Sequence, residues 1–125
     1  MIYGIGHDIV ECQRIKKSVE KLGDRFKDKI FTETEKQYCN QFKLNDYLHY
    51  AARFAAKEAF SKAIGTGFSG GFNMKEVGVV NKKSGQPEIE LSGSMLEKWG
   101  HLKSNLTMSH TDRNAVAIVI LETLE

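Results

Sequence analysis

Apolar side chains recur along this 125-residue chain with a helical period in its first half and an extended one in its second. From about residue 11 to 22 the apolar positions are Cys12, Ile15, Val19 and Leu22, spaced by 3, 4 and 3 as one buried helical stripe requires. Gly23 suits the residue that closes such a helix. Thr32-Glu33-Thr34-Glu35 has the form of a capping box and starts a second helix, through Tyr38 to about Phe42. A third begins near Asn45 or Asp46, continues to Ile64 and ends at Gly65. Residues 65–71, with four glycines, then read as a helix cap and mobile loop.

Beyond that loop, residues 77–80 and 88–91 flank the turn-rich 81–87, and residues 106–110 and 115–121 flank 111–114. Each pair reads as a β-hairpin, with a short helix at about 94–99 between them. At the other end, residues 2–6 form a short strand that runs through His7-Asp8-Ile9-Val10-Glu11 into the first helix. The fold class is α+β, helices in the N-terminal half packed on an antiparallel sheet, in a single domain over residues 1–125. The last strand, 115–121, is apolar without interruption, so both its faces need cover. A chain this short has a modest core, which makes a subunit interface an attractive source of that cover.

Composition narrows the function classes. The net charge of +2 gives no reason to expect a general nucleic-acid binder. No apolar run reaches the length of a membrane span and the amino terminus lacks a signal-peptide pattern, so a cytoplasmic protein is expected. Cys12 and Cys39 lack metal spacing and read as reduced and structural. Charge distribution says more than its sum: residues 13–29 hold seven basic side chains against three acidic ones, a local +4 on the first helix and beyond.

The candidate chemistry lies on the third helix, in Arg53-Phe54-Ala55-Ala56-Lys57-Glu58-Ala59-Phe60-Ser61-Lys62-Ala63-Ile64-Gly65-Thr66-Gly67. Glu58 and Lys62, at i and i+4, interrupt an Ala-rich surface built for packing; they form either an ordinary ion pair or two parts of a site. Asp8 has two readings of its own, a helix cap with Glu11 or a metal ligand. Gly4 and Gly6 favour the second slightly, because alternate glycines in a strand let another backbone or a ligand come close. Without further information, a Mg²⁺-dependent phosphotransfer or hydrolytic enzyme competes with a small module that holds an acidic protein or RNA on its basic helix.

Gly4-Ile5-Gly6-His7-Asp8-Ile9-Val10-Glu11, the stretch 53–67 and Ser109-His110-Thr111 together closely resemble the three motifs of bacterial holo-(acyl-carrier-protein) synthases, the short single-domain branch of the 4′-phosphopantetheinyl transferases. They occur in the family's order and span nearly the whole chain. The resemblance implies transfer of the 4′-phosphopantetheine arm of coenzyme A to a serine of apo-acyl carrier protein, in fatty acid biosynthesis, with release of adenosine 3′,5′-bisphosphate. It implies Asp8 and Glu58 as ligands of Mg²⁺, with Mn²⁺ as an alternative, and Lys62 at the pyrophosphate; the group that takes the serine proton stays open between Glu58 and a metal-bound water. It puts Arg53 and His110 near the 3′-phosphate and Ser109 with the Gly85-Gln86-Pro87 turn near the adenine, Ser61 and Gly65 lining the groove. Arg14, Lys17, Lys21 and Arg25 are expected to dock the acidic carrier protein. A homotrimer with the nucleotide between subunits is implied too, the strand 115–121 facing neighbours.

Overall fold

The computed structural model describes residues 1–124. Its first strand, β1 (Ile2–Glu11), is twice as long as its opening residues alone suggest. It continues because β5 (Asn114–Glu122) pairs with it antiparallel all the way from Gly4 opposite Leu121 to Glu11 opposite Asn114. Asp8 therefore lies within the strand, opposite Ala117, and its side chain alternates onto the buried face. The helix-cap reading of Asp8 fails for that reason: α1 (Cys12–Leu22) has Glu11 as its N-cap residue, with no side-chain cap bond.

Cys12 and Ile15 of the predicted stripe are buried and Val19 packs against the core, whereas Leu22 is left 45% exposed. Gly23 closes the helix with φ +59°. It leads directly into α2 (Asp24–Ile30), a seven-residue helix that the periodicity does not announce because its apolar residues, Phe26 and Ile30, make only one turn of stripe. Thr32 and Glu35 form the expected capping box at the start of α3 (Glu33–Asn40).

α4 (Asp46–Ala63) lies across the three-stranded sheet, whose order is β1-β5-β4, with β4 spanning Lys103–His110. Ala51, Ala55, Ala59 and Ala63, one per turn, are buried and give the helix a face without bulk. β1 meets it with Gly4 and Gly6. A Cβ on Gly6 would stand 1.8 Å from the Ala59 carbonyl oxygen and one on Gly4 1.9 Å from that of Ala63, so helix and strand backbones touch where no side chain fits. The alternate glycines thus admit another backbone, and the helix backbone is what brings residues 58–62 against β1.

The second sheet is the hairpin β2 (Val77–Asn81) and β3 (Pro87–Leu91), followed by α5 (Gly93–Trp99). A buried ion pair fastens it to the helices. Lys57 on α4 donates to Glu35 Oε1 at 2.8 Å and to the carbonyls of Val77 at 2.8 Å and Met74 at 3.0 Å. Glu35 in turn accepts from the Val79 N–H at 3.0 Å. One carboxylate thereby caps α3, neutralises α4 and holds the hairpin.

The apolar last strand is covered on one side only. Ala115, Ala117, Val119 and Leu121 are buried under α4, while Ile118 on the opposite face remains 38% exposed. Beside it on β1, Ile5 and Ile9 are 59% and 60% exposed, so an apolar sheet face is open within the single chain. Among the described residues, no helix is long and apolar enough to cross a membrane.

Candidate active site

Lys62 does not close on Glu58, its helical neighbour. Its ammonium reaches across to β1, donating to Asp8 Oδ1 at 2.9 Å and to the His7 carbonyl at 3.0 Å. The plain i, i+4 ion pair is thereby replaced by a contact between elements, possible because the glycines of β1 let α4 approach. Asp8 is only 7% exposed, and its Oδ2 is buried without a hydrogen-bond partner.

Glu58 faces this same carboxylate. Its pKa is pushed up to about 7, first by burial, then by the negative charge of Asp8 and by the hydrogen bond that protonated Glu58 can give it; Lys62 and Arg14 oppose the rise. Two carboxylates crowded together, one with an orphaned buried oxygen, form a donor set that a hard divalent cation would relieve. Among the described residues no third His, Cys, Asp or Glu joins them, which suits an ion that takes one or two protein carboxylates and completes its shell with substrate oxygens and water. Arg14 and Glu58 share a cavity of about 170 Å³ walled by Ile15, Phe26 and Phe54.

A second cavity, of about 210 Å³, gathers Arg53, Gly85, Pro87, Ser109 and His110, residues from α4, the β2–β3 turn, β3 and the end of β4. Its charged member is Arg53, 2% exposed. The guanidinium lies over the Tyr38 ring, 4.1 Å from its centre, and donates to Asn81 Oδ1 at 2.9 Å, while its Nε is buried with no partner. Among the described residues no carboxylate pairs with it. A buried, uncompensated cation costs several kcal/mol, roughly 3–5 where the effect has been isolated, so an anion entering this cavity meets a ready partner.

Other expected residues lie elsewhere. Ser61 is 2% exposed and donates to the Glu58 carbonyl at 2.6 Å, steadying the helix rather than facing either cavity. Gly65, with φ +88°, closes α4 and is exposed outside both. Arg14, Lys17, Lys21 and Arg25 are all exposed on α1 and α2. The sequence reading assigned no site role to Tyr38, Asn81 and His49, which also line the second cavity. Asn81 opens the hairpin turn and His49 precedes Arg53 by one helical turn, signals too common to stand out. His49 stacks on Phe42, ring centres 3.6 Å apart, and meets His110 edge-on at 5.3 Å. Burial pulls its pKa down to about 4, helped by the positive charges of His110 and Arg53.

Arg53, Glu58 and Lys62 stand along one helix with Asp8 brought to them by β1, an arrangement that could hold a polyanion beside a divalent ion. The family profile described as 4′-phosphopantetheinyl transferase superfamily matches residues 4–119. The chain belongs to that superfamily. Its similarity within it runs to holo-[acyl-carrier-protein] synthases: that of Koribacter versatilis is 45% identical over 125 residues, 98% of this chain and 99% of the relative. Among solved structures, the holo-[acyl-carrier-protein] synthase of Neisseria meningitidis superposes with a TM-score of 0.87 at 36% identity, covering 98% of this chain and 100% of that one. A holo-(acyl-carrier-protein) synthase from Bacillus anthracis, solved in complex with CoA (3′,5′-ADP), gives 0.81 at 38% identity, with 98% of each chain covered.

Proposed function

We propose that this protein transfers the 4′-phosphopantetheine moiety of coenzyme A to a serine of apo-acyl carrier protein, releasing adenosine 3′,5′-bisphosphate. The observation that carries the reading is the buried guanidinium of Arg53, left without a carboxylate in a cavity with His110, on the same helix as Glu58 and Lys62, which meet Asp8 of β1. The relatives' names and the coenzyme A complex of the Bacillus anthracis synthase support the donor and the acceptor.

In the reaction the serine oxygen forms a bond to phosphorus as the pyrophosphate bridge breaks, and the developing charge must be neutralised. Asp8 and Glu58 would hold a Mg²⁺ ion, with Mn²⁺ an alternative; when bound, such an ion offsets pyrophosphate charge and aligns its oxygens. Lys62, whose side chain is 53% exposed, is free to turn from Asp8 to the pyrophosphate and offset charge on the leaving phosphate. Arg53 and His110 receive the 3′-phosphate, and the turn carrying Gly85 and Pro87, with Ser109, borders the adenine.

The exposed cations Arg14, Lys17, Lys21 and Arg25, of which Arg14 shares a cavity with Glu58, give an acidic carrier protein a complementary surface. The open face of Ile5, Ile9 and Ile118 supports a homotrimer in which neighbouring subunits supply the missing cover. Equilibrium sedimentation tests this, and a persistent monomer at micromolar concentration refutes it. The expected setting is cytoplasmic fatty acid biosynthesis.

The test of the whole reading is mass spectrometry of apo-acyl carrier protein incubated with coenzyme A, Mg²⁺ and this protein. Phosphopantetheine on the serine is the expected product, lost on chelation with EDTA. An unmodified carrier, or modification that EDTA leaves untouched, overturns the corresponding part.

A further inference from the structure

Arg53 and Lys57 stand one turn apart on α4 with both cationic ends buried, yet the fold answers them in opposite ways. Lys57 is given a carboxylate, Glu35 at 2.8 Å. Arg53 is given neutral acceptors only, the Asn81 amide oxygen at 2.9 Å and the His49 carbonyl at 3.5 Å. Asn81 acts on its other side as well: its Nδ2 donates to the Gly85 carbonyl at 3.1 Å, in a turn that the Gly85 N–H closes onto the Lys82 carbonyl at 2.8 Å.

Few side chains can do both. An aspartate at 81 would accept from the guanidinium but has nothing to donate to Gly85 when ionised, and it would cancel the Arg53 charge as Glu35 cancels that of Lys57. Leucine would fill the space and do neither. A neutral amide aims the guanidinium, holds the 82–86 turn against it and leaves its charge whole.

We propose that Asn81 is a specificity-determining positioning residue, whose amide orients Arg53 and the adjoining turn while reserving the guanidinium charge for the terminal phosphate monoester of the donor nucleotide. The inference rests on the coenzyme A reading above and adds a preference to it: the 3′-phosphorylated donor is used over 3′-dephospho-coenzyme A. A doubly ionised monoester gains most from an uncancelled arginine in a desolvated pocket, since charge-assisted, bidentate hydrogen bonds are the strong ones.

The experiment compares coenzyme A with 3′-dephospho-coenzyme A as donors to apo-acyl carrier protein, kcat and KM for each, in the full-length wild type, Asn81→Asp and Asn81→Ala. Titration calorimetry with adenosine 3′,5′-bisphosphate and with AMP gives the same ratio as binding. Asn81→Asp should lose about tenfold or more of the coenzyme A preference, through a raised KM for coenzyme A and a much smaller change for the dephosphorylated donor. Asn81→Ala, which removes the acceptor without adding charge, should lose about threefold, and it carries the test if the aspartate variant does not fold.

An unchanged donor ratio in the folded variants overturns the proposal, and so do equal losses on both donors, the mark of a merely structural role. The donor reading fails separately. If the wild type neither binds adenosine 3′,5′-bisphosphate nor uses coenzyme A, both ideas fall. If Arg53→Ala abolishes the preference and both Asn81 variants keep it, only the role of Asn81 falls.

Discussion

Replacing Glu35 by glutamine should destabilise the fold by several kcal/mol and make its stability climb with pH, because Lys57 would lose the only carboxylate that pairs with it among the described residues. Lys57 is fully buried, and burial already pulls its pKa below the ordinary 10.5, opposed by the charge and hydrogen bond of Glu35. Without that opposition the ammonium has one escape, which is to give up its proton. At pH 7 that escape costs about 1.4 kcal/mol for each of the roughly 3.5 pH units below the ordinary value, or about 4.8 kcal/mol, and this bounds the electrostatic penalty whatever the local dielectric. Loss of the acceptor for the Val79 N–H adds about 1 to 2 kcal/mol. The two together set a ceiling of about 6 to 7 kcal/mol, comparable with the whole stability of many domains.

The sign follows from proton binding. The unfolded variant binds a proton at Lys57 up to pH 10.5 while the folded variant does not, so stability rises with pH by up to about 1.4 kcal/mol per unit, and the electrostatic cost shrinks to roughly 2 kcal/mol at pH 9. Urea unfolding of wild type and variant at pH 7, 8 and 9, at one protein concentration, measures this. Wild-type and Glu35→Gln curves that run parallel with pH, or a cost below about 1 kcal/mol at pH 7, would refute the reasoning.

Gly6→Ala should either fail to fold or lose more than about 3 kcal/mol, since its Cβ would sit 1.8 Å from the Ala59 carbonyl oxygen and force α4 off β1; near-normal thermal stability would contradict the packing described. His49 should contribute to acid lability: its folded pKa near 4 lies below the ordinary 6.5, so the unfolded chain binds more protons there and stability falls as pH drops from 6.5 to 4. His49→Phe, which keeps a ring against Phe42, should show a shallower decline in acid urea titrations, and parallel declines would count against it. Asp8→Ala and Glu58→Ala should each lower turnover at limiting Mg²⁺ by about a hundredfold or more, and near-normal rates in either would remove that residue from the metal site. Raising salt should raise the Michaelis constant for carrier protein much more than that for coenzyme A; equal sensitivity would speak against docking on Arg14, Lys17, Lys21 and Arg25.

What could be read from the sequence divides by distance along the chain. The capping box at Thr32, the helix end at Gly65 and both hairpins depend on neighbours within a few residues, and they form as their patterns predict. The length of β1 depends on β5, more than a hundred residues away, so the strand runs past the point where local pattern stops it and places Asp8 mid-strand, which removes the helix-cap reading of the two the sequence left open. Lys62 follows the same logic. Its nearest acid in sequence is Glu58, yet its partner is Asp8, 54 residues off, because two glycines let the helix come close.

The site itself shows why a motif is easier to find than its supports. Motif residues such as Asp8, Glu58 and Arg53 look anomalous in sequence because a strand or a packing helix has no ordinary use for them. Glu35 and Asn81 look ordinary, one a capping glutamate and the other a turn asparagine, and in the fold each does perform that ordinary task. Their second tasks, cancelling Lys57 and sparing Arg53, arise only when α3 and the hairpin are each laid against α4. A local rule satisfied by a residue therefore says nothing about whether the same side chain also sets the charge of a pocket. In this chain an acid at position 35 and an amide at position 81 leave one buried cation neutralised and the next one, four residues away, available to a ligand.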